Sequence, residues 1–214
     1  MTTKDTKEKN TLIITAPNFQ TAEFVIRGTA PLVINKFSAK AKQEMIDKQM
    51  AGSQAKKGKK REAKNFDECF EQARHVSTDG WDGIPASGIR KAMIGACRLV
   101  NFKMTIAKMS VFVEADGIDA DEGTPLVKII SENPPEKHIG YTRNATGVCD
   151  IRARPMWRQW GAKVRLKFDA DQFSAQDVAN LLARVGVQVG LCEGRPDSKE
   201  STGMGWGTFE IVQD

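Results

Sequence analysis

Apolar and polar positions follow two periods along this chain, and the two periods divide it into elements. Residues 162–168 alternate strictly: Val164, Leu166 and Phe168 fall on one side, Lys163, Arg165 and Lys167 on the other. That is the period of a half-buried strand with one basic face. Residues 174–185 switch to the helical period, with Val178, Leu181, Leu182 and Val185 as the apolar stripe. Ser174 and Asp177 stand at the spacing of a capping box, and Gly186 reads as the stop. Residues 84–100 predict another helix, with Pro85 in its first turn and Ile89, Met93, Ala96 and Cys97 on one face. Shorter helices are expected at 38–49, capped by Ser38 with Ala41, Met45 and Ile46 on one side, and from Asn65, where Phe66, Cys69, Phe70 and Ala73 recur at helical spacing. Strands are expected within 21–35, around Phe24, Val25 and Ile26, and at 108–114, 125–130, 147–154 and 206–212.

Stripped of insertions, the order is strand, helix, two strands, helix, strand. It predicts an α+β fold with a ferredoxin-like, RRM-like β-α-β-β-α-β core: an antiparallel sheet with two helices on one face and the other face free. The 214 residues divide into a polar tail at 1–20 and a single domain at 21–214. Insertions fall at about 36–80, rich in Lys, and 115–160, where an extra β-hairpin region is expected.

Charge sharpens this outline. The net charge is only +5, from 32 basic and 27 acidic residues. Yet residues 36–64 carry ten basic and three acidic side chains, and residues 141–167 carry seven basic and one acidic. The remainder holds 15 basic and 23 acidic residues, so an acidic body bears two basic segments, the asymmetry that polyanion binding needs.

Three segments are candidates for chemistry. In the first, Lys56, Lys57, Lys59, Lys60 and Arg61 lie in a stretch poor in apolar residues and punctuated by Gly52 and Gly58. It reads either as a solvated charge run or as an arm closing over nucleic acid. The second interleaves Arg143, Arg152, Arg154, Arg158, Arg165 and Lys167 with Tyr141, Trp157 and Trp160. Cations hold a phosphate backbone and rings stack unpaired bases, although the tryptophans also suit a core. The third is the glycine-rich run Gly203-Met204-Gly205-Trp206-Gly207, with Arg195 upstream. Closely spaced glycines let backbone N–H groups approach phosphates, and equally build a hairpin loop.

Other chemistry finds little purchase. Cys69, Cys97, Cys149 and Cys192 are far apart, and the N-terminal residues lack a signal-peptide pattern, so reduced thiols and a cytoplasmic location are expected. His75 and His138 have no cysteine or carboxylate at ligand spacing. Asp116, Asp119, Asp121 and Glu122 read as surface charge. No Walker A pattern, GxSxG elbow or dinucleotide fingerprint occurs. No cofactor, metal or catalytic residue is therefore expected, and no run is long enough for a membrane-spanning helix.

Two stretches resemble the RAMP superfamily. Residues 84–93, Ile-Pro-Ala-Ser-Gly-Ile-Arg-Lys-Ala-Met, are similar to the segment that opens the first helix of a ferredoxin-like domain in those proteins, and they bring Arg90 into the candidate set. Residues 203–211, with Ser201 upstream, resemble their C-terminal glycine-rich segment. Residues 24–35 and 193–196 also resemble phage-encoded proteins of similar size, which would place the chain in the cytoplasm of a bacterial host. The Cas7-like backbone subunits of CRISPR effector complexes are RAMP proteins. The resemblance implies a non-enzymatic protein that binds single-stranded nucleic acid, RNA in preference to DNA, and assembles head to tail as a homo-oligomer, with other subunits of a ribonucleoprotein complex as further partners. Two alternatives stay open: a metal-dependent ribonuclease of the same fold using Asp79 or Asp82, and a self-assembling structural protein without nucleic acid.

Overall fold

In the computed structural model, residues 14–52, 63–143, 149–198 and 203–212 are described. The chain builds a mixed α and β fold around antiparallel sheets. At its centre lie β1 (Phe19–Gly28) and β9 (Gly161–Asp169), paired antiparallel from Phe19 opposite Asp169 to Arg27 opposite Gly161. The alternation in β9 decides which side faces in. Val164, Leu166 and Phe168 are buried, opposite Phe24, Ala22 and Gln20 of β1. Removing a Leu or Phe side chain from water is worth about 1.5–3 kcal/mol, so a one-residue slip of register would turn the whole set outward.

Three further strands frame this pair. β10 (Phe209–Ile211) joins the outer edge of β1, and β4 (Val111–Glu114) joins β9. β6 (Pro125–Ile130) continues the β4 side, pairing Ile129 and Ile130 with Ala162 and Gly161, and itself carries β3 (Gly83–Pro85) and β5 (Gly117–Ile118). Helices α3 (Ala86–Ala96) and α5 (Ala175–Arg184) pack together on the buried face. Ile89, Met93 and Ala96 of α3 and Val178, Leu181 and Leu182 of α5 join the core there. Among β1, β4, β9 and β10, taken in chain order, the spatial order is fourth, first, third, second.

A second sheet is formed by β2 (Leu32–Val33), β8 (Cys149–Trp157) and β7 (Glu136–Arg143). β7 and β8 make a long hairpin whose base enters the main core through Trp157. Helix α2 (Phe66–Gln72) packs on β8. Helix α1 (Ala39–Ala51) has no fully buried residue among those described, and Met45, Ile46 and Met50 are exposed.

Several expectations hold in detail. Ser38 and Asn65 cap α1 and α2 through their side chains, and Ser174 with Asp177 forms a complete capping box. Others shift. Ile84 belongs to β3, paired with Val127, so the helix starts at Ala86 and its last turn, Cys97–Val100, is a 3-10 helix closed by left-handed Asn101. Residues 108–110 are helical, in α4 (Met104–Ser110), because Ala107 and Ser110 turn inward at helical spacing. Gly186 does not stop α5. The chain continues as a π-turn through Val189, and Gly186 instead lets Phe209 pack where a side chain would collide with its carbonyl. All four cysteines are free thiols. No helix among the described residues is long and apolar enough to cross a membrane.

Candidate nucleic-acid interface

The basic residues expected to share one surface fall on two. Lys163, Arg165 and Lys167 stand on the open face of the main sheet, and cross-strand geometry supplies each region of it with acids. Lys163 Nζ lies 2.9 Å from Glu23, Arg165 Nη2 2.8 Å from Asp116, and Arg27 Nη2 2.6 Å from Glu210. Arg165 also donates to the Ala115 carbonyl and approaches Glu114 at 3.6 Å. Lys167 sits 5.4 Å over the ring of Phe19, which meets Phe112 edge to face. Arg27, Lys128, Lys163, Arg165 and Lys167 thus share this face with Glu23, Glu114, Asp116, Asp169 and Glu210, a balanced set.

The β7–β8 hairpin differs. Residues 136–158 hold five basic and two acidic side chains. Period-two alternation splits the hairpin into two faces. Ile139, Tyr141 and Ile151 share one, and all three are exposed, Tyr141 at 77%. Arg152 and Arg154 share the other, with His138 opposite Arg154. Tyr141 and the arginines therefore interleave in sequence but not on one surface. Arg152 reaches Asp150 at 3.3 Å and is partly exposed, whereas Arg154 is 4% exposed. Arg158, at the base, is exposed and donates from Nε to both Glu136 oxygens. Arg143 ends β7.

Lys56, Lys57, Lys59, Lys60 and Arg61 lie outside the described residues. The end of their segment does not. Lys64 Nζ donates to Asp150 and to the Ile151 carbonyl, the latter at 2.9 Å, and α2 follows at once and packs on β8. Lys64 lowers the Asp150 carboxyl below its ordinary value, chiefly by that hydrogen bond, with help from Arg152. Lys64, at the end of the Lys-rich segment, is thus held on the Arg-rich strand.

Three further candidates have structural work that competes with ligand contact. Trp157 is 3% exposed inside the core, so its ring offers no face to a base; Trp160 is likewise buried and donates to the Ala30 carbonyl. Arg90 donates to the carbonyls of Val111 and Lys108 and stacks 4.6 Å over Phe112. The glycine run folds back on its own loop. Met204 and Trp206 donate their amides to the Gly194 carbonyl, Gly207 donates to Pro31, and Arg195 donates to Cys192. Gly203, Gly205 and Gly207 all have positive φ, and a Cβ at Gly203 or Gly207 would collide with the carbonyl of Arg195 or Leu191. The amides of residues 204, 206 and 207 are thus committed to the fold rather than free to cradle a phosphate. The loop does lie against the hairpin: Trp206 meets His138 edge to face at 5.3 Å, and Glu193 stands 3.6 Å from Arg154.

One ionic cluster was invisible to sequence reasoning. Asp119, expected at the surface, is 1% exposed. It accepts from Lys36 Nζ at 2.8 Å, meets His75 Nδ1 at 2.8 Å, and accepts the amides of Asp121 and Glu122. Burial pushes its carboxyl up, but these bonds outweigh that and hold it at about 2. Burial likewise opposes the Lys36 charge, and the bonds to Asp119 and Asp121 win, raising it. Lys36 follows β2 and His75 follows α2, so the cluster fastens the two elements on which β8 rests. Asp82, by contrast, gives both oxygens to Arg74.

Compared with known proteins, this chain matches no family model and no curated protein.

Proposed function

We propose that this chain is a ferredoxin-like, RAMP-type protein that binds single-stranded nucleic acid along the β7–β8 hairpin. The observation that carries the reading is that Lys64, the end of the Lys-rich segment, donates to Asp150 and to the Ile151 carbonyl of β8. It joins two segments with a surplus of positive charge. Residues 56–64 carry six basic and one acidic side chain, beside the five and two of the hairpin. A strand crossing the end of the hairpin meets Tyr141 for base stacking on one face and Arg152 for its phosphates on the other. The fourth-first-third-second strand order supports the ferredoxin-like assignment.

RNA is the preferred strand on the RAMP resemblance, and head-to-tail assembly follows from the same source. Helix α1 supports assembly independently: a helix of 13 residues with no fully buried side chain among those described is marginal alone in water. A neighbouring copy covering Met45, Ile46 and Met50 would stabilise it. An open interface of this kind propagates as a filament rather than closing as a ring.

The test is a gel-mobility shift with oligo(U) and oligo(dT) at two salt concentrations. Retardation that weakens steeply with salt, and is stronger for oligo(U), is expected. No retardation at low salt overturns the reading. Growth of large particles only when strand is added is the expected companion result in sedimentation.

A further inference from the structure

Arg154 carries the only buried side-chain donors among the described residues that the protein leaves unmade. The residue is 4% exposed, yet neither Nε nor Nη2 has a hydrogen-bond partner. The nearest acid, Glu193, stands 3.6 Å from the other terminal nitrogen, Nη1, outside hydrogen-bond distance. An arginine does not escape this by losing its proton, because its guanidinium stays charged in proteins. Burial pulls it below its ordinary value, Glu193 and Asp150 oppose that, and Arg152 adds to it.

The identity of the free donors points to a ligand. The N–H bonds of Nε and Nη2 run parallel along one side of the guanidinium plane, the edge that accepts two oxygens of a single carboxylate or phosphate. The groups facing it are those on its side of the hairpin and in the loop packed there. Arg152 is two residues before it, and His138 is its cross-strand partner. Asp150 is already held by Lys64 and Arg152, and Glu193 lies by Nη1. None of the described acids reaches the paired edge. On the same side of the hairpin, Trp206 lies edge to face on His138 and beside Gly194.

We propose that the Nε–Nη2 edge of Arg154 is a bidentate oxyanion site that takes one phosphate group of a bound strand. The assignment rests on the strand-binding reading above and adds to it a specific, buried phosphate contact. The chemistry is shared with free phosphate, so both sources are tested.

The arginine Nε–H resonances of ¹⁵N-labelled protein are followed by NMR, with that of Arg154 assigned by its loss in Arg154→Lys. Decauridylate and inorganic phosphate are titrated separately, against sodium chloride at matched ionic strength. The site predicts saturable movement of the Arg154 resonance with decauridylate. It also predicts that Arg154→Met weakens decauridylate binding by about tenfold or more while keeping the thermal midpoint equal or higher. A purely structural arginine gives the reverse, a lower midpoint with unchanged binding. If Arg154→Met fails to fold, Arg154→Lys, which keeps the charge and loses the parallel donors, must show the same weakening. Movement with inorganic phosphate below about 1 mM but not with decauridylate keeps the edge and assigns it free phosphate. Movement only at far higher phosphate marks an adventitious ion only and overturns the proposal. A static resonance while decauridylate is retarded in gels overturns this site and leaves strand binding standing. No retardation and no movement overturns both.

Discussion

The open face of the main sheet and the β7–β8 hairpin both read as cationic along the chain, and both set carboxylates beside most of their cations; they differ in how many acids each carries itself. On the sheet, Arg27, Lys163 and Arg165 each have a carboxylate within 3 Å, drawn from a neighbouring strand or the turn after β4. On the hairpin, Lys137, Arg152, Arg154 and Arg158 also have Asp67, Asp150, Glu193 and Glu136 within 4 Å, but residues 136–158 carry five basic and two acidic side chains themselves, and Lys64 shares Asp150 with Arg152. The lesson is that charge along one strand says little until its cross-strand neighbours are known. Exposed pairs such as Lys163–Glu23 are worth about 0–1 kcal/mol, so the sheet face is balanced without being strongly held.

The largest test of this contrast removes the frame beneath the hairpin. Asp119→Ala leaves Lys36 and His75 buried without their shared acid, and breaking such a cluster costs about 3–5 kcal/mol. Urea denaturation should register that loss, together with a fall in thermal midpoint of roughly 10 °C for a chain of this size. An unchanged midpoint would mean that the hairpin does not depend on the cluster. The same group sets an acid dependence. Its carboxyl sits at about 2 against an ordinary 3.8. Its stabilising contribution is therefore complete above pH 4 and lost as pH falls through 2. Asp119→Asn should flatten that part of a midpoint-against-pH curve.

A smaller effect separates the hairpin's two faces. Tyr141→Ala should cost about 1–3 kcal/mol of oligo(U) binding, measured by titration, with the thermal midpoint unchanged because the ring is exposed. Arg152→Ala should weaken binding to all sequences alike and lower the slope of log affinity against log salt by about 1. The smallest effect belongs to the sheet. The pair Lys163→Ala with Glu23→Ala should leave both stability and strand affinity within about 1 kcal/mol of the parent protein; a large loss of affinity would move the binding surface there.

Much of the frame was legible along the chain because it is local. The alternation of β9, the capping box at Ser174 and the side-chain caps at Ser38 and Asn65 each depend on residues a few positions apart. The start of β4 was misplaced because Lys108 to Ser110 satisfies a helix and a strand pattern alike, and packing of Ala107 decides it. The site was less legible because it is assembled from distant segments. Asp119 lies 83 positions from Lys36 and 44 from His75, in a turn whose composition looks solvated. The glycine run invited a phosphate-cradle reading, yet its amides close onto Gly194 and Pro31, contacts that spacing alone does not reveal. The arginines of β8 were visible as charge, but their spacing does not reveal that Arg154 is buried beside Glu193 while Arg152 is partly exposed.

The central claim is that a single strand lies on the hairpin and not on the open sheet. Photocrosslinking of oligo(4-thiouridine) to the protein, followed by mass spectrometry of the adducted peptides, addresses it most directly. The account predicts adducts within residues 136–158, centred on Tyr141, and in the Lys-rich segment joined to Lys64. Adducts confined to β1, β4 and β9 around Phe19 and Phe112, or none at all under conditions of gel retardation, would contradict it.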